Sequence, residues 1–311
     1  MTGTGIVIVT HNSEVEIGPC LDAALATGAE VVVVDNASTD GTLAAIRGFG
    51  AAVIANPENR GFAAAVNQGV RAIRANYILL LNPDAVLRTG IETLCDVCAA
   101  PETGAAGGKL IGSPTGFNIR RLPTPASLAF EVLLINRLCP RNPVNWHYRC
   151  YDVPLDECVR VEQPAGAFLM FRRDVWERLG GFDERFYPVW FEDVDFCKRL
   201  QDYGYSVYYD PRAVALHEGG HSIRKILLEK RELYWYGSLL KYCFKHFHGG
   251  YTRLLCLAVI VGTLLRMAAG MVLQRSFKPI GIYGRVTLLA SRYLLFGPGK
   301  VGALSSQKVW L

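Results

Sequence analysis

The stretch EVVVVDNASTDGT, Glu30 to Thr42, decides how this chain folds. Four consecutive valines suit a pleated strand, and an unbroken apolar run of this length marks a strand buried on both faces. The polar segment Asp35 to Thr42 stops the strand in a turn and caps a helix running from about Thr42 to Gly48. The same unit stands on either side. Upstream, IVIVT (Ile6 to Thr10) is a second buried strand, ended by His11-Asn12-Ser13. Glu14 to Thr27 follows, with Val15, Ile17, Leu21, Ala24 and Leu25 at near-helical spacing despite Gly18 and Pro19. Downstream, Ala52 to Ala55 is a short strand, Asn56 to Gly61 a loop, Phe62 to Ala75 a helix, and YILLL (Tyr77 to Leu81) a strand ending at Asn82-Pro83-Asp84.

Strands alternating with helices predict an α/β fold with a parallel sheet and right-handed crossovers. Ligands of such sheets sit beyond the carboxyl ends of the strands. Every polar cluster so far stands at such an end: Thr10 to Asn12, Asp35 to Asp40, and Asn82 to Asp84. Turn chemistry alone accounts for Ser38, Thr39 and Gly41. It accounts less well for Asp84, which an ordinary Ala-Val-Leu follows.

Of the 311 residues half are hydrophobic and 20% are charged, which supports a sizeable core and excludes a disordered chain. Met1 to Gly5 leads straight into the first strand, with neither an arginine-rich leader nor a secretory signal, so the chain reads as cytosolic. Nine scattered cysteines, an odd number, read as reduced thiols. Cys95 and Cys98 form a lone C-x-x-C on a predicted helix, Ile91 to Ala99, and read as packing residues. No glycine-rich dinucleotide fingerprint and no P-loop follows the first strand. A phosphate-bearing ligand here needs another cation, most simply a metal on carboxylates.

In the second half, Gly104 to Ile111 and GAFLMF (Gly166 to Phe171) read as strands, with a short helix at Asp174 to Leu179. Pro114 to Arg160 reads as loops and short helices covering a site. WFEDVD, Trp190 to Asp195, packs Glu192, Asp193 and Asp195 behind two aromatics. Adjacent carboxylates repel, and aromatic surroundings desolvate them, so both effects raise a carboxyl pKa. Such a cluster suits proton transfer or a cation, and equally suits the first turn of a helix, here Phe196 to Tyr203. Ser206 to Tyr209 is a late strand, Asp210-Pro211 a turn, and Ala213 to Leu216 leads to His217 and His221. The two histidines are four apart, but the glycines between them argue for a loop and for one ligand rather than two.

These segments together resemble the family 2 glycosyltransferases of the GT-A fold, and among them the bacterial rhamnosyltransferases of cell-surface polysaccharide synthesis. The matching segments are IVIVTHN, VVVVDNASTDGT, NPENRGFAAAVNQG, ILLLNPDA, GAFLMFRR, GGFDERFYPVWFEDVDFCKRL and HEGGHS, in order over about residues 5 to 222. The resemblance implies a GT-A nucleotide-diphospho-sugar transferase fold and an inverting transfer from a nucleotide-diphosphate sugar donor to a glycan or lipid-linked glycan acceptor. It points to rhamnose from dTDP-rhamnose. It places Thr10, Asn12, Asp35, Asn36, Ser38, Asn59, Gly61, Asn67 and Asn82 on the nucleotide sugar. It places Asp84 and His217 on a divalent metal, Mg2+ or Mn2+, with Asn82 standing where the family has its first Asp. Asp193 matches the general base, Glu192 lies beside it, and Trp190 lines the acceptor pocket. A nucleotidyltransferase making nucleotide sugars is the alternative, but it needs a glycine-rich basic loop where this chain has THNS. A non-catalytic sugar-nucleotide-binding homologue is a further alternative, which the intact Asp84, Asp193 and His217 oppose.

The charge is lopsided. Ser222 to Leu311 carries 14 Lys or Arg against two acids, a net +12, while residues 1 to 221 carry −7. Tyr251 to Leu273 is apolar and longer than the ~20 residues a spanning helix needs, but Arg266 lies well inside it. An arginine there costs about 2.5 kcal/mol or more. Lys278, Arg285 and Arg292 are seven apart, on one helical face, while Ile282, Val286, Leu289 and Leu294 lie on others. The tail therefore reads as lying on an anionic membrane surface, which makes the protein peripheral on the cytoplasmic face of the plasma membrane. An ordinary helical appendage packed on the catalytic domain is the alternative. The basic residues sit in an apolar tail without a nucleic-acid module, which excludes nucleic acid as a partner. Self-association into a homo-oligomer is compatible with the sequence and unspecified by it. The expected organisation is a GT-A domain over 1–222, with a nucleotide half at 1–112 and an acceptor half at 113–222, and a helical membrane-associating region over 223–311.

Overall fold

The computed structural model describes residues 3–112, 117–217, 219 and 226–305. Two compact units divide the chain: Met1–Leu122 with Asp152–Lys225, and Pro123–Tyr151 with Ile226–Leu311.

The first unit is built on a nine-stranded sheet. Its first four strands are β1 (Thr4–Thr10), β2 (Glu30–Asp35), β3 (Ala52–Ala55) and β4 (Tyr77–Leu81). They lie in the order β3-β2-β1-β4, all parallel. Alternate residues serve opposite faces. Ile6, Ile8, Val31, Val33, Leu79 and Leu81 share one core cluster with Ile17, Leu21 and Ala24 of the helix Ile17–Leu25. The other face is covered by the helix Phe62–Ala72, where Gly69 lets the helix backbone approach Val7 and Val34. Burial on both faces is why these strands need no polar alternation. Each fully buried valine contributes about 1.5–3 kcal/mol.

The later strands are β5 (Ala85–Leu87), β6 (Thr103–Ile111), β7 (Ile119–Arg120), β8 (Val159–Val161), β9 (Gln163–Pro164), β10 (Phe168–Arg172) and β11 (Ser206–His217). The sheet continues from β4 as β10-β6-β11-β5, with β8 also on β11 and a separate β7–β9 pair. β10 is antiparallel to β4 and β6, β11 is parallel to β6, and β5 is antiparallel to β11.

Two expectations change here. Asp210-Pro211 does not turn the chain. β11 runs through it with a register shift between Asp210 and Val214, and Arg212 folds back onto Asp210 at 2.7 Å. A bulge is where a strand tolerates proline. Ala85–Leu87, which follows Asp84, is itself a strand.

Within the stretch expected as loops and short helices, Pro114 to Arg160, the second unit holds the short helices Pro125–Val132, Ile135–Leu138 and Pro143–Tyr148, while Ile119, Arg120, Val159 and Arg160 are strand residues of the first unit. Thr124 and Ser127 make a capping box at the first, and Asn142 caps the third, each with proline in the first turn. The segment Pro123–Tyr151 groups with the C-terminal helices, not with the sheet, so the acceptor half expected over 113–222 is not one contiguous unit. The long helices are Leu228–His246, Gly249–Gln274 and Lys278–Ser305, the last interrupted at Gly297 with φ 67°. Their mutual packing buries Tyr236, Leu239, Leu255, Val259, Val286 and Ala290.

The expected basic face of the last helix is partly spent inside this unit. Arg285 pairs with Glu229 at 2.8 Å, and Val286 is buried rather than turned to a membrane.

Candidate active site

The register of the sheet gathers the polar strand ends on one rim. Thr10 lies opposite Asp35, and Ile8 opposite Leu81, so β1, β2 and β4 end together. β10 runs the other way, so its start, at Phe168 opposite Leu81, is on the same rim. β11 pairs His217 with Ala85, the residue after Asp84. That pairing brings His217 Nε2 to 3.2 Å from Asp84 Oδ1, with both side chains about one-tenth exposed. Asn82 Nδ2 is 3.5 Å from the same imidazole nitrogen. Among the described residues no three His, Cys, Asp or Glu side chains converge as a ready-made metal cage. Asp84 and His217 form a two-member donor set, one oxygen and one nitrogen. His221 lies outside the described residues.

At the end of β2, Asp35 is buried and organises the turn that follows. Its Oδ1 accepts from Thr10 Oγ1 at 2.8 Å and Ser38 Oγ at 2.5 Å, and its Oδ2 from the Ser38 amide at 3.0 Å. Asn12, at φ 56°, accepts from the Thr39 amide at 2.8 Å and donates its own amide to Ser38 Oγ. Asn36 donates to Asn59 Oδ1 at 3.0 Å and accepts from the Arg60 amide at 2.9 Å. Asn59 also accepts from the Gly61 amide, so the loops after β2 and β3 are tied into one surface. Gly61 has φ 85°, and a Cβ there would lie 2.8 Å from the Tyr187 ring.

Two expected ligands are instead supports. Thr10 is fully buried, with its hydroxyl committed to Asp35. Asn67 is buried and clamps the loop 181–184: it donates to Phe182 O and Glu184 Oε1, both at 2.9 Å, and accepts from the Phe182 amide and from Trp176 Nε1. With its amide fully engaged, Asn67 has no capacity left for a sugar.

WFEDVD is a helix start, and the helix begins at Glu192 (Glu192–Asp202), earlier than the expected Phe196. Trp190 and Phe191 precede it with φ 78° and 69°, left-handed conformations that cost about 1–3 kcal/mol each and are held only by surrounding packing. Below, Phe196 stacks on Phe182 at 4.4 Å and meets Phe171 edge-on at 5.3 Å. Asp195 is fully buried and pairs with Arg199 at 2.8 Å, and the same guanidinium donates to Leu179 O and Gly181 O. Asp195 therefore holds structure.

Glu192 and Asp193 differ. Glu192 is buried and its Oε2 has no hydrogen-bond partner among the described residues. Burial, and then the charge of Asp193, push its carboxyl well above the usual range. Asp193 keeps partial exposure as a residue, but its carboxyl is closely surrounded. Desolvation raises its pKa too, opposed by amides of Val194, Asp193 and Gly166 and by the Gln163 side chain. The Val194 amide donates to Oδ1 at 2.8 Å, and Gln163 Nε2 lies 3.5 Å from Oδ2. The two adjacent carboxyls thus differ in surroundings: burial raises both, and only Asp193 has donors at the helix N-terminus that oppose the rise.

Gly166 and Gln163 were not singled out from the sequence. Gly166 lies against the Asp193 carboxylate, and a Cβ there would sit 2.7 Å from Oδ2. The glycine opening GAFLMF was the only available signal.

Comparison with known proteins follows this geometry. The model of glycosyl transferase family 2 matches residues 5–179, and that of glycosyl transferase family group 2 matches 144–296. The N-acetylglucosaminyl-diphospho-decaprenol L-rhamnosyltransferase of Mycobacterium tuberculosis is 30% identical over 241 residues, 70% of this chain and 76% of that protein. Rhamnosyltransferase WbbL of Escherichia coli is 27% identical over 70% of this chain and 84% of its own length. In fold, the chain is similar to mannosyltransferase PcManGT from Pyrobaculum calidifontis, solved with GDP-Man and Mn2+. The TM-score is 0.53 at 17% identity, covering 95% of this chain and 88% of that one.

Proposed function

The chain belongs to glycosyl transferase family 2 and is a glycosyltransferase, and on that premise we propose that it moves rhamnose from dTDP-rhamnose to a hydroxyl of a lipid-linked glycan in cell-envelope polysaccharide synthesis. The transferred sugar and a lipid-linked acceptor follow the named activity of the rhamnosyltransferase of Mycobacterium tuberculosis, and the dTDP donor follows the family resemblance alone. The reaction rests on one observation: the rim that carries Asp35, Asp84 and His217 also carries Asp193, a carboxylate whose proton affinity is raised beside a buried Glu192.

The nucleotide lies over the surface made by Asn12, Asp35, Asn36, Ser38, Asn59 and Gly61, with Asn82 at the neighbouring strand end. Asp84 and His217 fit a divalent ion. Asp84 would offer such an ion a carboxylate oxygen, which suits Mg2+ or Mn2+, and His217 an imidazole nitrogen, which Mn2+ would accept more readily than Mg2+. Such an ion, when bound, neutralises charge on the departing diphosphate.

An acceptor hydroxyl has a pKa far above 7, so a carboxylate within hydrogen-bond reach must take its proton as it attacks. Asp193 does so. The acceptor oxygen bonds to the anomeric carbon, the carbon–phosphate oxygen bond breaks, and configuration inverts. The raised pKa of Asp193 makes it a stronger base than a solvated aspartate. Burial of Glu192 disfavours a second negative charge beside Asp193. Trp190 borders the acceptor side. The basic C-terminal region holds the enzyme peripherally on the cytoplasmic face of the plasma membrane, within reach of a lipid-linked acceptor.

Asp193→Asn tests the assignment. Rhamnosyl transfer is expected to fall by more than about 10²-fold, with dTDP affinity by calorimetry near wild type. Wild-type turnover in this variant would remove Asp193 from the reaction.

A further inference from the structure

We propose that the helix Gly249–Gln274 lies in the plane of an anionic bilayer with Leu254, Leu257, Val261, Leu264 and Val272 in the lipid, and that Arg266 is the latch that keeps it from spanning. The inference rests on the reading above that this region meets a membrane, and it specifies the surface and its orientation.

By length and composition the helix could cross a membrane. Its 26 residues span about 39 Å against a hydrocarbon core of about 30 Å. Its two sides are unlike. Leu254, Leu257, Val261, Leu264 and Val272 follow one another by three, four or eight residues, one helical stripe, with exposures from 46% to 77%. The opposite side, with Leu255, Cys256, Val259 and Thr263, is buried within its own unit. Thr263 Oγ1 meets Thr287 Oγ1 of the last helix at 2.8 Å. A Cβ on Gly262 would lie 2.0 Å from Val132 O, so this helix and Pro125–Val132 are in backbone contact.

Arg266 makes that contact polar. Its Nη1 donates to Val132 O and, at 3.1 Å, to Gly262 O, and its Nη2 to Glu131 O at 3.3 Å. The Glu131 and Val132 carbonyls end the helix Pro125–Val132, where a cation is favoured. In the sequence Arg266 opposed a spanning helix as an unpartnered charge. In the fold it is partnered, and the partner is a short helix whose flanking chain, at Leu122 and Asp152, returns directly to the sheet unit. A spanning helix would have to break this latch or draw that helix into the hydrocarbon. An in-plane helix does neither, because its buried side stays on protein while the stripe meets lipid.

Charge selects the occupant. From Gly249 to the C-terminus the chain has no acidic residue. Arg253 at the start of the stripe, and Arg275 and Lys278 beyond its end, are exposed. An apolar stripe bracketed by cations suits anionic phospholipid, and a second copy bearing the same cations would be repelled.

The test uses the full chain with vesicles of phosphatidylcholine, with and without phosphatidylglycerol. Val261→Cys carries an environment-sensitive fluorophore, in a background where exposed Cys139 and Cys158 are changed to Ser. Binding is expected only with phosphatidylglycerol, with a blue-shifted label quenched by lipid-borne quenchers. Leu257→Glu with Val261→Glu should bind about tenfold more weakly, with an unchanged circular dichroism spectrum. Alkaline carbonate should strip the wild type from membranes and leave more Arg266→Leu behind. Vesicle binding with an unshifted label, or wild type that resists carbonate, overturns the orientation alone. Complete stripping of a folded Arg266→Leu removes the latch. No vesicle binding, with or without a dimer formed through the stripe, overturns the membrane reading as well.

Discussion

Glu192 and Asp193 are neighbours in unlike surroundings, and burial separates them. A carboxyl whose folded pKa is raised stabilises the fold only while it is protonated; the contribution is full below the unfolded pKa and is lost as pH rises through the folded one. Glu192 is such a group. Glu192→Gln should therefore raise stability by about 1 kcal/mol or more at alkaline pH, with the gain vanishing in acid, as denaturant titrations at several pH values will show. Because glutamine imitates the neutral form, kcat should stay within about threefold of wild type at neutral pH. A loss of orders of magnitude would mean that Glu192 works as an anion. Asp193 must be ionised to accept a proton, so the acid limb of the kcat profile should lie above the ordinary aspartate range and should vanish with Asp193→Asn. At the other end of the rim, Asp84→Ala should raise the Mg2+ or Mn2+ concentration needed for half-maximal transfer by at least about tenfold, and EDTA should silence the wild type. Carboxylate density in WFEDVD was readable from the sequence. Which of the carboxylates gains donors was not, because Gln163 and Gly166, which lie against Asp193, come from a distant strand and loop.

At the scale of elements, the helix Glu192–Asp202 carries Asp193, the proposed base, and its position is set from below and from the side. Phe196 stacks it on Phe182, while Arg199 ties it through Asp195 to the loop carbonyls of Leu179 and Gly181. Arg199→Leu removes the guanidinium that pairs with the buried Asp195 carboxylate, so a loss of about 3 kcal/mol is expected in chemical denaturation. Gly166→Ala acts differently. Its new methyl would stand 2.7 Å from Asp193 Oδ2, so the base must shift. The expected result is a fall in kcat of about 10²-fold with little change in donor KM. Equal loss of both would point to a disturbed donor surface instead. The helix start was legible because acids in a first turn leave a pattern. The crowding at Gly166 left only a glycine. The strand Ala85–Leu87 was missed for a related reason: three residues carry no periodicity, and only pairing with β11 makes them a strand.

Over the whole molecule, a sheet unit of negative net charge is joined in sequence to a tail of net +12. Attraction between basic residues and an anionic leaflet is worth about 1 kcal/mol per residue near the surface and is screened within a Debye length. Co-sedimentation with anionic vesicles should therefore weaken steeply between low and high salt, while turnover on a soluble acceptor analogue changes little. The sequence by itself determined the alternation of strand and helix, the polar strand ends, the family and the acidic helix start, because each is written in residues a few positions apart. Tertiary structure alone decided the rest. Pairing of β11 with β5 joined Asp84 to His217. Folding committed the Thr10 hydroxyl and the Asn67 amide to protein partners, and packing gave Arg266 carbonyl partners. The physical reason is the same each time: desolvation and partnership depend on atoms that the chain brings together only when it folds.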